Sequence, residues 1–334
     1  MSIDVFKATL FILLSLMISL ASAQANKLSE RDDINQFINE VANKHNFDKQ
    51  RLNKWFDQTE LQPKIIEAIS RPAEKKLKWH EYRKIFVKPN RIEKGVAFWK
   101  KHEATLLRAE KEFGVPPHII TAIIGVETRY GEYKGRHRVM DALTTLGFDY
   151  PKRSKFFKSE LEQYLLLVHE EDIDPFSIKG SYAGAMGIPQ FISSSYRHYA
   201  VDFDGDGKRD LWNNPVDAIG SVANYFKKHG WKAGQQVVLP ASISGNNGQA
   251  LIDKGIKPHT DIDTFAAKGV VSDIKNHDPL SEKAALVELQ QVDNKEYWLA
   301  FDNFYAITRY NHSALYAMAA HQLSLEIKKA HNAS

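Results

Sequence analysis

"HIITAIIGVETRYGEY", residues 118–133, is a nearly continuous apolar run that passes into a short polar end. Pro116 and Pro117 precede it and suit the first turn of a helix, whereas Gly131 suits the stop at its C-terminus. The stretch therefore predicts one helix over residues 117–130. Because a helix that is apolar on nearly all sides belongs in a protein core, we expect this helix to be buried.

Glu127 is the exception to this apolar pattern. Counting back by three, four and seven residues places it on the same side of the helix as Ile124, Ile123 and Ile120. Burial and the negative end of the helix dipole both disfavour a charged carboxylate, so the pKa of Glu127 should be raised, as a general acid requires. A paired structural carboxylate is the alternative, although Arg129 is badly placed to be the partner. The spacing alone leaves both possibilities open.

The chain around this helix is mostly helical in pattern. From Ser29 to about Phe226, apolar residues recur at helical spacing and prolines separate the segments. After Gly230 the composition shifts to β-branched and aromatic residues with turn residues between them. The sequence therefore predicts a mainly α protein with a helical region over 24–95, a helical core over 96–234, a small inserted β-rich unit over 235–308 and a last helix within 309–334.

Residues 1–23 have the features of a secretory signal peptide. A short start with one lysine precedes the apolar run ATLFILLSLMISL, and the small residues ASA at 21–23 form a cleavage pattern. An uncleaved membrane anchor is the alternative. We expect cleavage, which would leave a soluble mature protein without a membrane anchor.

Charge and cysteine content narrow the class further. The chain carries 45 Lys and Arg against 41 Asp and Glu, a net charge of +4 without a dense basic block, so no nucleic-acid partner is expected. It has no cysteine, which excludes disulfides and a lipid-bearing cysteine. A large exported chain without cysteine fits the periplasm of a Gram-negative bacterium.

A glycine-rich stretch, GSYAGAMGIPQFISSS, covers residues 180–195. Its glycines allow the chain to turn tightly and to approach a ligand closely, and Ser181 and Gln190 offer the hydrogen-bonding groups that a sugar amide needs. A tight turn between two helices is the alternative, and it would explain the glycines without the polar pair.

The stretch DFDGDGKRDLWNNPVD, residues 202–217, has the pattern of a calcium loop. Asp202, Asp204 and Asp206 stand at loop positions 1, 3 and 5, and the carbonyl of Lys208 at position 7. Position 12 is Asn213 instead of the usual glutamate, so the loop departs from a regular EF-hand. An acidic turn without metal is the alternative. Because no histidine cluster accompanies the loop, we expect structural Ca²⁺ and no catalytic metal.

Four motifs in fixed order give a specific resemblance. Nearly the whole mature chain resembles the lytic murein transglycosylase B family, which has a lysozyme-like core. Because this chain has no cysteine, it resembles a soluble form of the family without a lipid-bearing cysteine. The motifs are GVETRYG (125–131), GSYAGAMGIPQF (180–191), DFDGDGKRDLW (202–212) and ITRYNHSALYAM (307–318).

The resemblance implies a non-hydrolytic cut of peptidoglycan. It implies that residues 96–234 form a lysozyme-like catalytic core, in which Glu127 protonates the leaving oxygen between N-acetylmuramic acid and N-acetylglucosamine. The acetamido group of the substrate assists, and Glu127 then takes the proton of the C6 hydroxyl, which leaves a 1,6-anhydromuramoyl end. This single-carboxyl scheme differs from the usual pair of carboxylates.

The resemblance also implies further site residues. It assigns Ser181 and Gln190 to the acetamido group and nearby atoms, and Asp217 to the closing ligand of the calcium loop. Further sugar or stem-peptide contacts would come from Lys152, Arg153, Tyr225, Tyr310, Asn311, Tyr316 and, more weakly, Tyr82. For every tyrosine, core packing with a satisfied hydroxyl is the alternative.

Three functions remain open at this level. The first is a monomeric lytic transglycosylase that needs no organic cofactor. A hydrolytic muramidase, using Glu127 with water and a second carboxylate, is another. The third is a non-catalytic protein that binds peptidoglycan strands, which a buried acid such as Glu127 disfavours.

Overall fold

The computed structural model describes residues 27–70, 77–244, 248–272 and 283–334. It is mainly α-helical and has a small antiparallel sheet, so the predicted fold class is confirmed. The predicted signal peptide lies outside the described residues. Within those ranges, every helix is too short or too polar to cross a lipid bilayer.

The helices fall into three groups along the chain. The first group is α1 (Asp32–His45), α2 (Lys49–Asp57), α3 (Pro63–Ser70), α4 (Trp79–Phe86) and α5 (Pro89–Lys101). The second is α6 (Glu103–Phe113), α7 (Pro117–Thr128), α8 (Val139–Asp149), α9 (Ser154–Glu170), α10 (Ser193–Tyr199) and α11 (Pro215–Lys228). The third is α12 (Gly248–Ile252), α13 (Ile262–Ala267), α14 (Asp302–Tyr310) and α15 (Ala314–Asn332).

Helix α7 lies at the centre of the main hydrophobic core. Helices α5, α6, α11 and α15 pack around it, which explains why its sequence is apolar on nearly all sides. Ile120, Ile123 and Ile124 are completely buried. The predicted burial of this helix is therefore confirmed.

The end of α7 differs from the prediction. The helix stops at Thr128, two residues before the predicted end, because Arg129 adopts a left-handed conformation with φ of 53°. Tyr130 and Gly131 continue the left-handed run with φ of 66° and 88°. The amides of Arg129 and Tyr130 donate to the carbonyls of the last helical turn, at Gly125 and Ile124. Two bulky residues thus take conformations that usually favour glycine.

The strands form two small sheets. The short pair is β1 (His137–Arg138) with β2 (Lys179–Gly180). The larger sheet has the order β4-β6-β7-β3-β5 and consists of β3 (Val238–Ile243), β4 (Thr260–Asp261), β5 (Val270–Ser272), β6 (Lys283–Gln290) and β7 (Lys295–Ala300), with all neighbours antiparallel.

The larger sheet separates two cores. Alternate residues of β6 point to opposite faces: Leu286 joins a small core with Phe265, whereas Val287 and Leu289 join the main core. The β-rich unit is therefore attached to the helical body through one face of its sheet. The limits 235–308 of the β-rich unit remain a prediction.

Residues 302–310 form helix α14, although they were expected to belong mostly to the β-rich unit. Their aromatic and β-branched content resembles that of a strand, but Phe304, Ile307 and Thr308 recur at helical spacing and are buried together. Asp302 in the first turn also suits a helix start. Burial at this spacing outweighs the strand preference of the side chains.

The last helix, α15, begins at Ala314, within the range 309–334. The side chain of Ser313 caps it by accepting a hydrogen bond from the amide of Tyr316. The helix packs against α4, α5, α7 and α14. Its first turn thereby reaches the C-terminal end of α7, where Glu127 lies.

Candidate active site

The carboxylate of Glu127 meets a tyrosine from the far end of the chain. The hydroxyl of Tyr316, in the first turn of α15, donates a 2.5 Å hydrogen bond to Oε1 of Glu127. Glu127 itself is half-buried, whereas Tyr316 is 2% exposed. Burial and the neighbouring carboxylate both raise the pKa of Tyr316, so its hydroxyl stays protonated and acts as a donor at neutral pH.

Three more tyrosines of the predicted site interact with this pair or with each other. Burial raises the pKa of Tyr310, and the negative charge of Glu127 raises it further. Tyr82, on α4, lies close enough to affect the pKa of Tyr316 in the same direction. The ring of Tyr225 contacts Tyr310 with centroids 4.8 Å apart. Of these four predicted tyrosines, Tyr316 contacts the acid directly, and Tyr82, Tyr225 and Tyr310 interact with Tyr316 or with one another.

Two of these tyrosines have satisfied hydroxyls. Tyr310 donates to the carbonyl of Pro189 at 2.6 Å, and Tyr225 donates to the carbonyl of Arg309 at 2.6 Å. Both rings are packed among other aromatics. These contacts favour a role in shaping the core beneath the site, whereas Tyr316 contacts the acid itself. Direct sugar contacts of Tyr225 and Tyr310 stay a prediction.

The glycine-rich segment forms a tight turn beside α7. A β-carbon on Gly187 would lie 2.6 Å from the carbonyl oxygen of Leu211, and the residue has φ of 75°, so the turn requires glycine. The hydroxyl of Ser181 accepts from the amides of Ala183 and Ala185 at 3.2 and 3.1 Å. That hydroxyl keeps its own proton to donate. Its predicted contact with the acetamido group stays a prediction.

Gln190 ends the same turn with φ of 53°. Its amide nitrogen donates to the carbonyls of Gly187 and Lys134 at 2.9 and 3.2 Å. The side chain therefore ties the glycine-rich turn to the loop that follows α7. This arrangement orients the amide oxygen of Gln190, although its contact with substrate stays a prediction.

The remaining predicted ligand-binding residues lie at the surface or at a helix end. Lys152 and Arg153 are exposed on the short turn before α9, where the guanidinium of Arg153 lies 4.2 Å from the ring centre of Phe156. Asn311 is the C-terminal cap of α14, next to Tyr310. The roles of all three in binding stay predictions.

Glu132 carries the next carboxyl after Glu127 along the chain. In the structure it is exposed and its Oε1 accepts a 2.5 Å hydrogen bond from Lys94. It therefore forms a surface ion pair, while Glu127 contacts the buried Tyr316.

A clamp that the sequence did not indicate closes the end of α7. We use "helix-end clamp" for Arg91, Gly125 and Tyr130. The guanidinium of Arg91, only 5% exposed, donates to the carbonyl of Gly125, and the hydroxyl of Tyr130 donates to the carbonyl of Arg91 at 2.6 Å. Desolvation lowers the pKa of Arg91, yet arginine stays charged in proteins. The buried charge of Arg91 therefore lies at the negative end of the α7 dipole, at a carbonyl two residues before Glu127.

The acidic loop brings three carboxylates together. Asp202, Asp204 and Asp217 each offer an oxygen, and these oxygens lie within 4.8 Å of one another. Two oxygens bound to one Ca²⁺ at 2.3–2.6 Å are at most about 5 Å apart, so this group fits the ion. Asp217 is buried, and its two oxygens accept from the amides of Phe203 and Asp210.

The carboxylate of one predicted calcium ligand, Asp206, lies outside this group of three. It accepts from the amide of Lys208 at 2.8 Å. A carboxylate that accepts from an amide two residues later orders the turn of the loop. Asp206 and the Lys208 carbonyl therefore stay predictions as ligands.

Comparison with known proteins gives a consistent result. The family model described as Transglycosylase SLT domain matches residues 29–325. The membrane-bound lytic murein transglycosylase B of Escherichia coli (strain K12) is 45% identical over 300 residues, which are 86% of this chain and 80% of that protein.

Two solved structures share the fold. The soluble lytic transglycosylase SltB1 of Pseudomonas aeruginosa is 48% identical with a TM-score of 0.83, over 89% of this chain and 98% of that one. The Escherichia coli lytic transglycosylase Slt35, solved in complex with calcium, is 42% identical with a TM-score of 0.81, over 92% and 98%. The resemblance inferred from the four motifs is therefore confirmed, and the chain belongs to the Transglycosylase SLT domain family as a lytic murein transglycosylase of the B type.

Proposed function

We propose that this protein is a peptidoglycan lytic transglycosylase with Glu127 as its single general acid and base. It cleaves the β-1,4 bond between N-acetylmuramic acid and N-acetylglucosamine and forms a 1,6-anhydromuramoyl end. The observation that supports this most directly is the half-buried Glu127, which accepts a hydrogen bond from the buried Tyr316.

The first step breaks the glycosidic C–O bond. Glu127 gives its proton to the leaving oxygen, while the carbonyl oxygen of the substrate's own acetamido group bonds to C1 of the muramic acid. The resulting ring carries the positive charge that a second carboxylate would otherwise stabilise. The hydroxyl of Tyr316 fixes the orientation of Glu127 and stabilises the carboxylate that this step leaves behind.

The second step closes the anhydro ring. The C6 hydroxyl attacks C1, the acetamido oxygen leaves C1, and the Glu127 carboxylate accepts the hydroxyl proton. Glu127 is then protonated again and no water is consumed. Exclusion of water from C1 thus separates this reaction from hydrolysis.

The other buried carboxylates of the described residues support a single acid. Asp141 is paired with Arg138, and Glu160 accepts from the hydroxyl and amide of Ser194. Asp217 belongs to the group of three aspartates of the acidic loop. Each therefore has a structural partner, which disfavours a hydrolytic muramidase with a paired carboxylate.

Binding roles follow from the same assignment. Ser181 and Gln190 would hold the acetamido group, and Asn311 with the surrounding tyrosines would shape the sugar site. Lys152 and Arg153 would bind carboxylates of the strand from the surface. Ca²⁺ held by the acidic loop would be structural, because Phe203 in that loop is buried against the core. We place the mature protein in the periplasm as a soluble monomer exported by its signal peptide.

The test is mass spectrometry of the products released from purified peptidoglycan by the mature protein and by Glu127→Gln. We expect anhydromuropeptides, one water lighter than reducing-end products, from the wild type and none from the variant. Reducing-end products would indicate a muramidase. Binding without products would indicate a non-catalytic wall protein, and cleavage by the variant would exclude Glu127 as the acid.

A further inference from the structure

A pocket with a volume of about 560 Å³ lies where the β-rich unit meets the helical body. Its walls come from residues within 79–84 of α4, 291–298 of the hairpin of β6 and β7, and 321–326 of α15. We call this feature the junction pocket. Ligand sites are frequent at such junctions, and the volume is in the range of roughly 300–1,000 Å³ that is typical of them.

Hydrogen bonds hold the walls of the junction pocket in place. The guanidinium of Arg83 on α4 donates to the side-chain oxygen of Gln322 on α15 at 2.5 Å. In the hairpin, the side-chain amide of Gln291 donates to the carboxylate of Glu296 at 2.5 Å. Trp298, which follows on β7, is half-buried and packs against the main core. The pocket is therefore preformed, which lowers the cost of ordering side chains on binding.

Three polar atoms of the lining residues have no hydrogen-bond partner among the described residues. They are Nε1 of Trp79 and Nδ1 of both His80 and His321. Trp79 is only 1% exposed. Buried polar atoms nearly always have a partner, so three such atoms around one pocket indicate a ligand. Because all three lie below the surface, a ligand that reaches them must enter the pocket.

The charges of the junction pocket balance. Arg83 and Lys84 supply two cations, and Glu296 and Glu326 supply two carboxylates. His321 is neutral at pH 7, because burial lowers its pKa to about 4. Among the described residues, the histidines and glutamates of the pocket do not form a group that could hold a metal ion. The pocket therefore suits an uncharged ligand better than an ion.

An N-acetylated sugar has the groups that match this pocket. The indole N–H of Trp79 is a donor, and a neutral imidazole ring has one acceptor nitrogen. An acetamido group offers one carbonyl acceptor and one N–H donor in return. The rings of Trp79 and Trp298 supply apolar surface on which the C–H face of a sugar ring can pack.

The two helices of the junction pocket also support the catalytic acid. Helix α4 carries Tyr82, and α15 carries Tyr316, which donates to Glu127. Gln322 of the pocket lies six residues after Tyr316, about 9 Å further along the helix axis. The pocket is thus separate from the contacts of Glu127 but is built on the same helices.

We propose that the junction pocket is a second saccharide site, which binds an N-acetylglucosamine unit of the peptidoglycan strand away from the bond that Glu127 cleaves. The source of the sugar rests on the proposed function. Binding at this site holds the enzyme on its insoluble substrate and takes no part in the chemical step.

The test uses the mature Glu127→Gln protein, which should not cleave its ligand. The chain has six tryptophans, and isotope-edited NMR can follow their indole N–H signals separately. Single tryptophan-to-phenylalanine changes assign the signals of Trp79 and Trp298. The probes are diacetylchitobiose, cellobiose, which lacks the acetamido groups, and a free anionic stem tetrapeptide.

We expect diacetylchitobiose to shift the signals of Trp79 and Trp298, with magnetisation transfer from its acetyl methyl to the indole proton of Trp79. Cellobiose should bind about tenfold more weakly, because it leaves the buried polar atoms unpaired. Trp298→Leu should weaken binding of diacetylchitobiose by about tenfold, since tryptophans are frequent anchors of binding energy. Trp55→Leu, at a buried tryptophan on α2, is the matched control and should change this affinity by less than about twofold.

A second pocket variant, Leu325→Trp, avoids the loss of a half-buried ring. Leu325 lines the pocket and is 47% exposed, so a larger side chain there should obstruct the pocket without disturbing the core. It should weaken binding as Trp298→Leu does, and it keeps the test valid if Trp298→Leu does not fold. Shifts that arise from a sugar at the Glu127 site would persist in both variants.

Three outcomes would overturn the inference: no shift at Trp79 and Trp298, unchanged affinity for diacetylchitobiose in the pocket variants, or binding of cellobiose or the stem tetrapeptide as tight as that of diacetylchitobiose. Each of these leaves the proposed reaction intact, because the released products test that reaction. Conversely, if diacetylchitobiose binds in the pocket while the wild type forms no anhydro product, the second site stands and the proposed reaction fails.

Discussion

The ring of Tyr130 lies so close to Gly125 that a β-carbon on Gly125 would be 2.6 Å from three of its side-chain atoms. The two residues also meet through Arg91, which accepts from the hydroxyl of Tyr130 and donates to the carbonyl of Gly125. Left-handed non-glycine residues cost free energy that the surrounding contacts must offset. The helix-end clamp supplies such contacts, and it holds the turn that follows Glu127.

The change Gly125→Ala tests this clamp. The added methyl must displace the Tyr130 ring, and overpacking of this kind costs about 1–3 kcal/mol of the free energy of unfolding. The rate of product formation should also fall while the variant is still folded, because movement of Tyr130 loosens the last turn of α7, which carries Glu127. Urea denaturation and product release at a temperature where the variant stays folded would measure the two effects.

Gly147→Ala is the matched control for this change. Gly147 also lies inside a helix, but a β-carbon there would be 3.3 Å from the flexible side chain of Lys158. Alanine is the better helix former by about 1 kcal/mol, so this variant should be neutral or slightly stabilised. Equal behaviour of the two alanine variants would contradict the role given to the clamp.

The hydroxyl of Tyr316 should act on the chemical step. Removing a hydrogen bond to a charged group costs about 1.5–3 kcal/mol, so Tyr316→Phe should lower kcat by roughly 10- to 100-fold with little change in KM. A donated hydrogen bond stabilises the ionised carboxylate. Its loss should keep Glu127 protonated to higher pH and shift the alkaline limb of the pH–rate profile upward.

Tyr164→Phe is the control for the loss of a buried tyrosine hydroxyl. Tyr164 is fully buried and donates to the carbonyl of Pro175 at 2.7 Å. This variant should lose stability but keep the pH–rate profile of the wild type. A profile for Tyr316→Phe that also stays unchanged would show that the hydroxyl does not act through Glu127.

The parts of the site that could be predicted are those that local sequence encodes. The nearly continuous apolar run of α7 predicts its burial, and the aspartates of the acidic loop recur at fixed spacing. The helix-end clamp could not be found in this way, because Tyr130 and Arg91 are 39 residues apart. Left-handed conformations at Arg129 and Tyr130 depend on such distant contacts, so propensity predicts a stop at Gly131 instead.

The acidic loop shows the same limit. Spacing places Asp206 at a ligand position as readily as Asp202, yet the structure groups Asp202 and Asp204 with Asp217. Asp217 lies in the first turn of the next helix, α11, where it is buried and accepts a hydrogen bond from the amide of Phe203 in the loop. Its place depends on packing of α11, which the loop pattern does not encode.

Calcium should stabilise the folded protein. Ion binding to the native state alone contributes about 2.7 kcal/mol when the free ion is at 100 times its Kd, so added Ca²⁺ should raise Tm and chelation should lower it. Asp217→Asn removes a charge from the group of three and should abolish most of this response. Calorimetric melting with calcium or with chelator would measure it.

Asp206→Asn is the matched control in the same loop. Asparagine keeps the oxygen that accepts from the amide of Lys208, and Asp206 lies outside the group of three. The calcium response should therefore largely persist in this variant. If Asp206→Asn abolishes the response and Asp217→Asn does not, the ligand set follows the sequence spacing and not the observed group.

The pH dependence of stability should depend in part on His321. Burial lowers its pKa to about 4, and its Nδ1 has no hydrogen-bond partner among the described residues. In the unfolded chain a histidine has a pKa of about 6.5, so below that pH the unfolded state takes up a proton that the folded state refuses. The resulting stability is fully present above pH 6.5 and is lost as pH falls toward 4.

His321→Gln should flatten this dependence. Between pH 7 and pH 5 the wild type should lose about 2 kcal/mol more of its free energy of unfolding than the variant, since one such histidine contributes about 1.4 kcal/mol per pH unit below 6.5. His312→Gln, at an exposed histidine, should leave the slope of the wild type unchanged. Urea titrations across this range would measure all three slopes. If the free energy of unfolding of His321→Gln has the same slope against pH as that of the wild type, His321 accepts the proton in the folded state. A charged ring there would require a hydrogen-bond acceptor, which the described contacts do not provide.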